Sequence, residues 1–351
     1  MVTDSRYSRF EALGACLPSA VQSSADLAAQ VTEVPRLFLE RITGVAERRV
    51  ADIDAGEDSF HLALAAARDA LARSRYDAAQ LDVVISASIS RAKGGDNLHF
   101  EPSFARMLCE DLGAHSAINF DISNACAGMI TGVYVLDRMI RDGLVRNGMV
   151  VSGEHITAVA RTAAAELRSV RDPQFASLTV GDSAAAVILD ESRDDADRIH
   201  YVEMMTCSEY SHLCKGMPSD RSAGLALYTE HQRMQEEDRR KFWPLFHRDF
   251  LARNGTDFAS EKFDYVIHHQ VGARFVELYN ETGESVLGVS MPESLSVLRE
   301  LGNTSSTSHF MVLHQHLKAG TAGPGSKFLL VPSASGLVLG ALSASISELE
   351  V

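Results

Sequence analysis

Asn119-Phe-Asp-Ile-Ser-Asn-Ala-Cys126-Ala-Gly-Met129 is the stretch on which the fold of this chain turns. An apolar run ends there, and small residues surround a single thiol. A helical pattern then begins with Met129, Ile130, Val133, Leu136 and Ile140. A strand-to-helix turn with a thiol at its tip points the sulfur at the helix N-terminus, where peptide dipoles favour negative charge. The spacing therefore predicts a stabilised thiolate and a nucleophilic cysteine. A buried structural cysteine is the commoner fate of this residue type. A helix-start position between Ala125 and Gly128 argues against that fate.

Outward from this turn, helical and strand patterns alternate, which predicts an α/β architecture. Phe60 to Arg73 reads as an alanine-rich helix, and Leu81 to Ala87, Met149 to Ser152 and Ala184 to Leu189 read as strands. The charged stretch Glu191-Ser-Arg-Asp-Asp-Ala-Asp-Arg198 reads as a linker near the middle of the chain. Beyond it the pattern repeats. Leu81-Asp-Val-Val-Ile-Ser86 matches Phe263-Asp-Tyr-Val-Ile-His268, and Asp121-Ile-Ser-Asn-Ala-Cys126 matches Asn303-Thr-Ser-Ser-Thr-Ser308. Gly148 to Ser152 matches Ser326 to Val331, and Gly181 to Leu189 matches Gly336 to Leu342. Four weak pairs in one order point to an internal duplication. Residues 1–190 form the half with the cysteine and 199–351 the second half. The segment 208–255 has no counterpart in the first half. It reads as an inserted helical cap over a binding cavity or, equally, as an ordinary amphipathic surface helix.

The bulk composition narrows the class. The chain has 351 residues, 46 % hydrophobic and 23 % charged, which suits one large globular domain or two packed halves. A formal charge of −14 disfavours nucleic acid as a partner. The five cysteines are odd in number and contain no CxxC, so neither a disulfide framework nor a zinc site is expected. A cytoplasmic location is the expectation. No signal peptide is read, and no apolar run approaches the about 18 residues that would span a bilayer.

A nucleophilic cysteine needs a base or an electrostatic partner. Of the thirteen histidines, His61, His99, His115, His200 and His247 lie in no distinctive context. His268 and His269 end the strand-like Tyr265-Val-Ile run, where an α/β half presents its functional residues, and Gln270 follows. Asn303 opens another helix, near the repeat-related mate of the Cys126 turn. Thiol, imidazole and amide would then meet in a crevice between the halves.

These residues resemble the thiolase superfamily and, within it, the β-ketoacyl-acyl carrier protein synthase III-like condensing enzymes. The markers are the Cys126 turn, Thr43-Gly-Val-Ala-Glu-Arg-Arg49, Gly181-Asp-Ser-Ala-Ala-Ala-Val187, His269-Gln270, Gly302-Asn303-Thr304 and Gly336-Leu-Val-Leu-Gly340. The resemblance covers nearly the whole chain. It implies a five-layered αβαβα fold, usually a homodimer, and a catalytic triad of Cys126, His269 and Asn303. It assigns His269 because the family histidine directly precedes glutamine. It also implies an oxyanion hole from the backbone N–H groups of Cys126 and Gly336, and places Arg274 at a carrier-protein docking position. A surface salt bridge is the plainer reading of Arg274. The implied reaction loads an acyl group from acyl-CoA or acyl carrier protein and condenses it with a second thioester, without metal or redox cofactor. An acidic carrier protein would need a basic patch. Arg239, Arg240 and Lys241 offer one, and a solvated helix face explains them equally well.

Two positions depart from the synthase III pattern. His99-Phe-Glu-Pro-Ser103 resembles a segment of the olefin-pathway head-to-head acyl-CoA condensing enzymes. In that branch a glutamate reaches into the partner's active site as base for a non-decarboxylative condensation. Glu101 would be that base. A plain helix-start charge before Pro102 is the alternative. The synthase III enzymes hold the CoA adenine with a tryptophan and an arginine, and Phe38 and Ile42 stand at about those positions here. Two further alternatives are an acyltransferase that forms no carbon–carbon bond and a silent subunit of a heterodimer. The presence of Asn303 argues against the former and the complete triad against the latter.

Overall fold

The computed structural model describes residues 6–95 and 97–351. The strands β1 (Tyr7–Cys16), β2 (Val83–Ser86), β3 (Ile118–Asp121), β4 (Asn147–Glu154) and β5 (Ser183–Ser192) form one sheet in the order β1-β5-β4-β2-β3. A second sheet holds β6 (Arg198–Thr206), β7 (Tyr265–His268), β8 (Glu293–Ser294), β9 (Ser326–Val331) and β10 (Val338–Ile346). Its order, β6-β10-β9-β7-β8, is the same permutation. The short strand Ser333–Ala334 adds to β10. In both sheets the first two junctions are antiparallel and the last two parallel.

Among the described residues seven helices have nine residues or more: α1 (Ser59–Arg73), α2 (Phe104–Leu112), α3 (Gly128–Arg141), α4 (Thr157–Glu166), α5 (Phe242–Arg253), α6 (Ala273–Leu287) and α7 (Ser308–Lys318). The apolar stripe of α3 that the sequence predicts packs with Phe310 to Leu313 of α7. Both meet Val83, Ile85 and Val150 of the first sheet and Ile267, Phe328 and Leu330 of the second. Each fully buried leucine or phenylalanine there contributes about 2 kcal/mol. Helices α1 and α2 cover the outer face of the first sheet. Helices α5 and α6 cover that of the second. The result is the five-layered αβαβα arrangement of the thiolase fold.

Because helices lie on both faces, the central strands are apolar runs rather than alternating ones, and Ala184 to Leu189 are all 0 % exposed. The alanine-rich face of α1 brings backbones close. A Cβ at Gly153 of β4 would stand 2.1 Å from the Ser59 carbonyl oxygen, so only glycine fits there.

Three expectations change. The charged stretch 191–198 is not a loose linker: β5 runs to Ser192, β6 starts at Arg198, and Arg9 binds Asp190 at 2.9 Å and Asp197 at 2.7 Å to hold the turn. The segment 208–255 is not wholly helical. A hairpin of Cys214–Pro218 with Leu225–Thr229 precedes its helices. The repeat also has a different register at the cysteine. The short 3-10 turns Ala125–Ala127 and Ser305–Thr307 correspond, each opening on a left-handed residue, Ala125 (φ 46°) or Ser305 (φ 59°). Cys126 therefore corresponds to Ser306, two residues before the Ser308 that the sequence match indicated.

Candidate active site

Strand β3 ends at Asp121, the chain turns through Asn124, and Cys126 sits in the middle of the 3-10 turn that leads into α3. The turn packs through Ala125, Cys126 and Ala127 against Ala334 and Val338, at the base of the hairpin that carries Gly336. The Cys126 sulfur is half-buried and lies 3.8 Å from the Ser305 hydroxyl. The predicted thiolate is not the resting state. Burial pushes the thiol up to about 12, and Cys214 and Glu154 push in the same direction, while the Ser305 hydroxyl opposes them. The helix-start amides do not reverse this. The Ala127 N–H is donated to the Asn124 carbonyl and the Gly128 N–H to that of Ala125.

Strand alternation settles the two histidines. His268, at the end of β7, points to the outer layer, where its ring meets Trp243 and Tyr279 edge-on and Nε2 contacts Asn280 Oδ1 at 2.8 Å. Its neighbour His269 faces the cysteine side and stacks at 5.9 Å on His309 of α7. His309 gives its Nε2–H to the Val331 carbonyl at 3.1 Å. Burial, and then His309, lower His269 to about 3, so its imidazole is neutral near pH 7. Gln270 is structural: it donates to the His268 carbonyl and accepts from Ser296.

Asn303 is half-buried at the seam between the halves. Its N–H is donated to the Thr179 carbonyl, and its own carbonyl accepts from the Gly181 N–H. The side-chain oxygen Oδ1 accepts the Ser305 N–H at 3.0 Å, which leaves the amide NH2 as the donor end. Cys126, His269 and Asn303 line one narrow pocket. Ser335 and Leu337, on either side of Gly336, line it too, and Gly336 holds a left-handed φ of 103°. The cap supplies Cys214, Thr229 and His231 to its wall.

Other candidates lie elsewhere. Glu101 is exposed on the surface, outside this pocket. Phe38 is 65 % exposed in a separate surface cleft with Arg41 and Arg299. Arg274, at the start of α6, binds Glu277 at 3.0 Å and Glu281 at 3.1 Å, the salt bridges of its plainer reading. Arg239 is largely buried, and Arg240 and Lys241 are engaged by the Gln235 carbonyl and Glu237. They form no open basic patch.

Sequence reasoning missed Cys214, Thr229 and His231, which reach the pocket from a remote insertion. It also missed Glu154, whose carboxyl holds the Ser306 hydroxyl on the turn of Asn303. Correct pairing of the two turns would have pointed to Ser306 and then to Glu154.

A model described as 3-oxoacyl-[acyl-carrier-protein] synthase III matches residues 120–208, and one for the synthase III C-terminal part matches 252–346; together they span more than half of the chain. The β-ketoacyl-[acyl-carrier-protein] synthase III of Bacillus pumilus is 26 % identical over 336 residues, covering 94 % of this chain and 96 % of the relative. A crystal structure of Xanthomonas campestris OleA with bound lauric acid and lauroyl-CoA superposes with a TM-score of 0.82 at 21 % identity, over 97 % of this chain and 99 % of that one. The 3-oxoacyl-(acyl carrier protein) synthase III, FabH, from Pseudomonas aeruginosa superposes with a TM-score of 0.81 at 22 % identity, over 99 % and 100 % of the two chains.

Proposed function

The chain belongs to the 3-oxoacyl-[acyl-carrier-protein] synthase III family of acyl-thioester condensing enzymes, and on that premise we propose that Cys126 accepts an acyl group and His269 and Asn303 direct its Claisen condensation with a second thioester. The observation that carries this reading is the pocket these three residues share, built from both halves.

Loading begins with attack of the Cys126 sulfur on the carbonyl of an acyl-CoA or acyl carrier protein thioester. The thiol is protonated at rest and His269 is neutral, so the proton leaves as the carbon–sulfur bond forms. It passes by way of His269 to the departing thiol. The backbone N–H groups of Cys126 and Gly336 receive the oxyanion, and losing one such donor costs about 3 kcal/mol. In the second step a malonyl thioester releases carbon dioxide. The enolate oxygen takes hydrogen bonds from neutral His269 and from the Asn303 amide. The carbanion attacks the acyl carbonyl, the bond to Cys126 breaks with release of a β-keto thioester, and the sulfur takes up a proton from water. The thioesters supply all the reactive groups, with no metal or redox cofactor.

A second reading rests on Glu101. Glu101 directly follows Phe100, which is 84 % exposed, and Leu98 of the same segment is 49 % exposed. An apolar patch of this kind suits a subunit contact. In a homodimer formed there, Glu101 would serve the partner's pocket as base, and two simple acyl thioesters would condense without decarboxylation. Arg274 and Phe38 would guide the carrier or CoA.

Incubation with acyl-CoA, with and without a malonyl thioester, tests both routes. Carbon dioxide release and strict dependence on malonyl support the first. Product formed without malonyl, and lost in Glu101→Ala, supports the second. Product from Cys126→Ala would overturn the assignment.

A further inference from the structure

Glu154 ends β4 with a side chain that is 0 % exposed. Its Oε1 accepts the Ile89 N–H at 3.0 Å and contacts the hydroxyls of Ser152 (3.1 Å) and Ser306. Its Oε2 accepts the Ser90 N–H at 3.1 Å and the Ser90 hydroxyl at 2.7 Å. Ser152 and Ser306 also meet at 2.7 Å. Burial pushes the Glu154 carboxyl above its usual range, and the donors from Ile89, Ser306 and Ser90 pull against that shift. Strand register identifies the counterpart of Glu154 in the second half. Glu154 pairs with Ser183 as Ala334 pairs with Val338, and Val151 lies beside Ser86 as Val331 lies beside His268. Ala334 packs on Cys126, whereas Glu154 binds Ser306.

The Ser306 turn carries Asn303. A left-handed φ at Ser305 is strained for a non-glycine residue and persists only where neighbours enforce it. On the pocket side the turn is held by the Asn303 Oδ1 contact to the Ser305 N–H. Behind it, the Ser306 hydroxyl is held by Glu154.

We propose that Glu154 is a positioning residue for condensation: through Ser306 it fixes the turn that aims the Asn303 amide at the enolate. Cys126 sits on its own turn in the other half and meets the braced turn only through the Ser305 hydroxyl at 3.8 Å, so loading depends on the brace far less than condensation does. The inference rests on the condensing reading, in which Asn303 acts only after loading.

Glu154→Gln keeps the shape and replaces one acceptor oxygen by a donor NH2, and Ser306→Ala removes a single hydroxyl from the same contact. Both are read by single-turnover acylation of Cys126, by mass, and by product formation in steady state. The expected result is loading near the wild-type rate, with kcat for condensation down about a hundredfold in each, the cost of displacing a catalytic group by roughly 1 Å. The KM for the acyl donor stays unchanged. Loading and condensation falling together would show a general structural role and overturn the proposal. Condensation at the wild-type rate in Ser306→Ala would do the same, and that variant remains informative if Glu154→Gln does not fold. A wild-type chain that loads no acyl group would instead overturn the condensing reading itself.

Discussion

At Cys126 and at Ser306 the backbone follows one path: a left-handed residue, a short 3-10 turn, and then a central helix. The surroundings differ. Behind Cys126 the neighbouring strand end is Ala334, a methyl group, and a pocket remains. Behind Ser306 the equivalent strand end is Glu154, and the space is filled by a carboxylate and its donors. By the same correspondence His269 stands where the first half has Ala87, and Asn303 where it has Ser123. A duplicated frame thus offers two equivalent hollows. One stays open and is lined by an imidazole and an amide from the opposite half, and the other is plugged.

The largest effect that can break this comparison is loss of the proposed nucleophile. Cys126→Ala is expected to lower product formation by about 10⁴-fold or more and to abolish the acyl adduct. Ser306→Cys sharpens the point. It should still take up one acyl group per chain by intact mass, and two would show that the second hollow is open.

His269→Ala comes next, with an expected loss of about 10²- to 10³-fold in kcat and little change in KM for the acyl donor. A loss under tenfold would make His269 as dispensable as its counterpart Ala87.

The thiol gives a third, smaller handle. Thiolate, not thiol, reacts with iodoacetamide, and its fraction grows about tenfold per pH unit below the pKa. With the thiol pushed up to about 12, labelling of Cys126 should still be climbing above pH 9.5. A plateau near pH 7 would restore the helix-start thiolate.

The smallest effect concerns stability. Burial holds His247, His268 and His309 to about 4 and His269 to about 3, all in the second half. These folded values lie below the ordinary 6.5, so the unfolded chain takes up protons first as pH falls. The stabilisation is whole above pH 6.5 and is lost on the way down to about 4. By pH 5 the loss amounts to about 2 kcal/mol per histidine. Urea midpoints at pH 7.5 and 5.0 measure it. The midpoint should drop at pH 5.0, less so in His309→Gln, and an unmoved midpoint would refute the account.

What could be read from the chain follows the range of the signals. The α3 stripe and the apolar strands are periodic, and periodicity survives in a single sequence. Cys126, His269 and Asn303 sit at strand ends and helix starts, positions that motifs mark. The register of the repeat slipped by two residues because Asn303-Thr-Ser-Ser-Thr-Ser308 matches by composition, while a left-handed φ at Ser305 is not written in its side chain. The Cys126 pKa was misjudged because the dipole argument is local and burial comes from segments far along the chain. Glu154 was invisible for the same reason, since its donors come from residues 89–90, 152 and 306. The Cys214–Thr229 hairpin was overlooked because charged helical runs after it dominate the segment.

The paired central helices bear on how the molecule comes apart. Each of α3 and α7 rests on hydrophobic side chains supplied by both sheets, in one continuous core. A fragment cut at residues 193–197 would leave half of that core open to water, with nothing to bury it but another fragment. The two pieces would therefore aggregate or find each other, and neither alone would keep a native structure. Slow-exchanging amide protons should concentrate in this pair of helices and vanish together, marking the middle layer as the last unit to open.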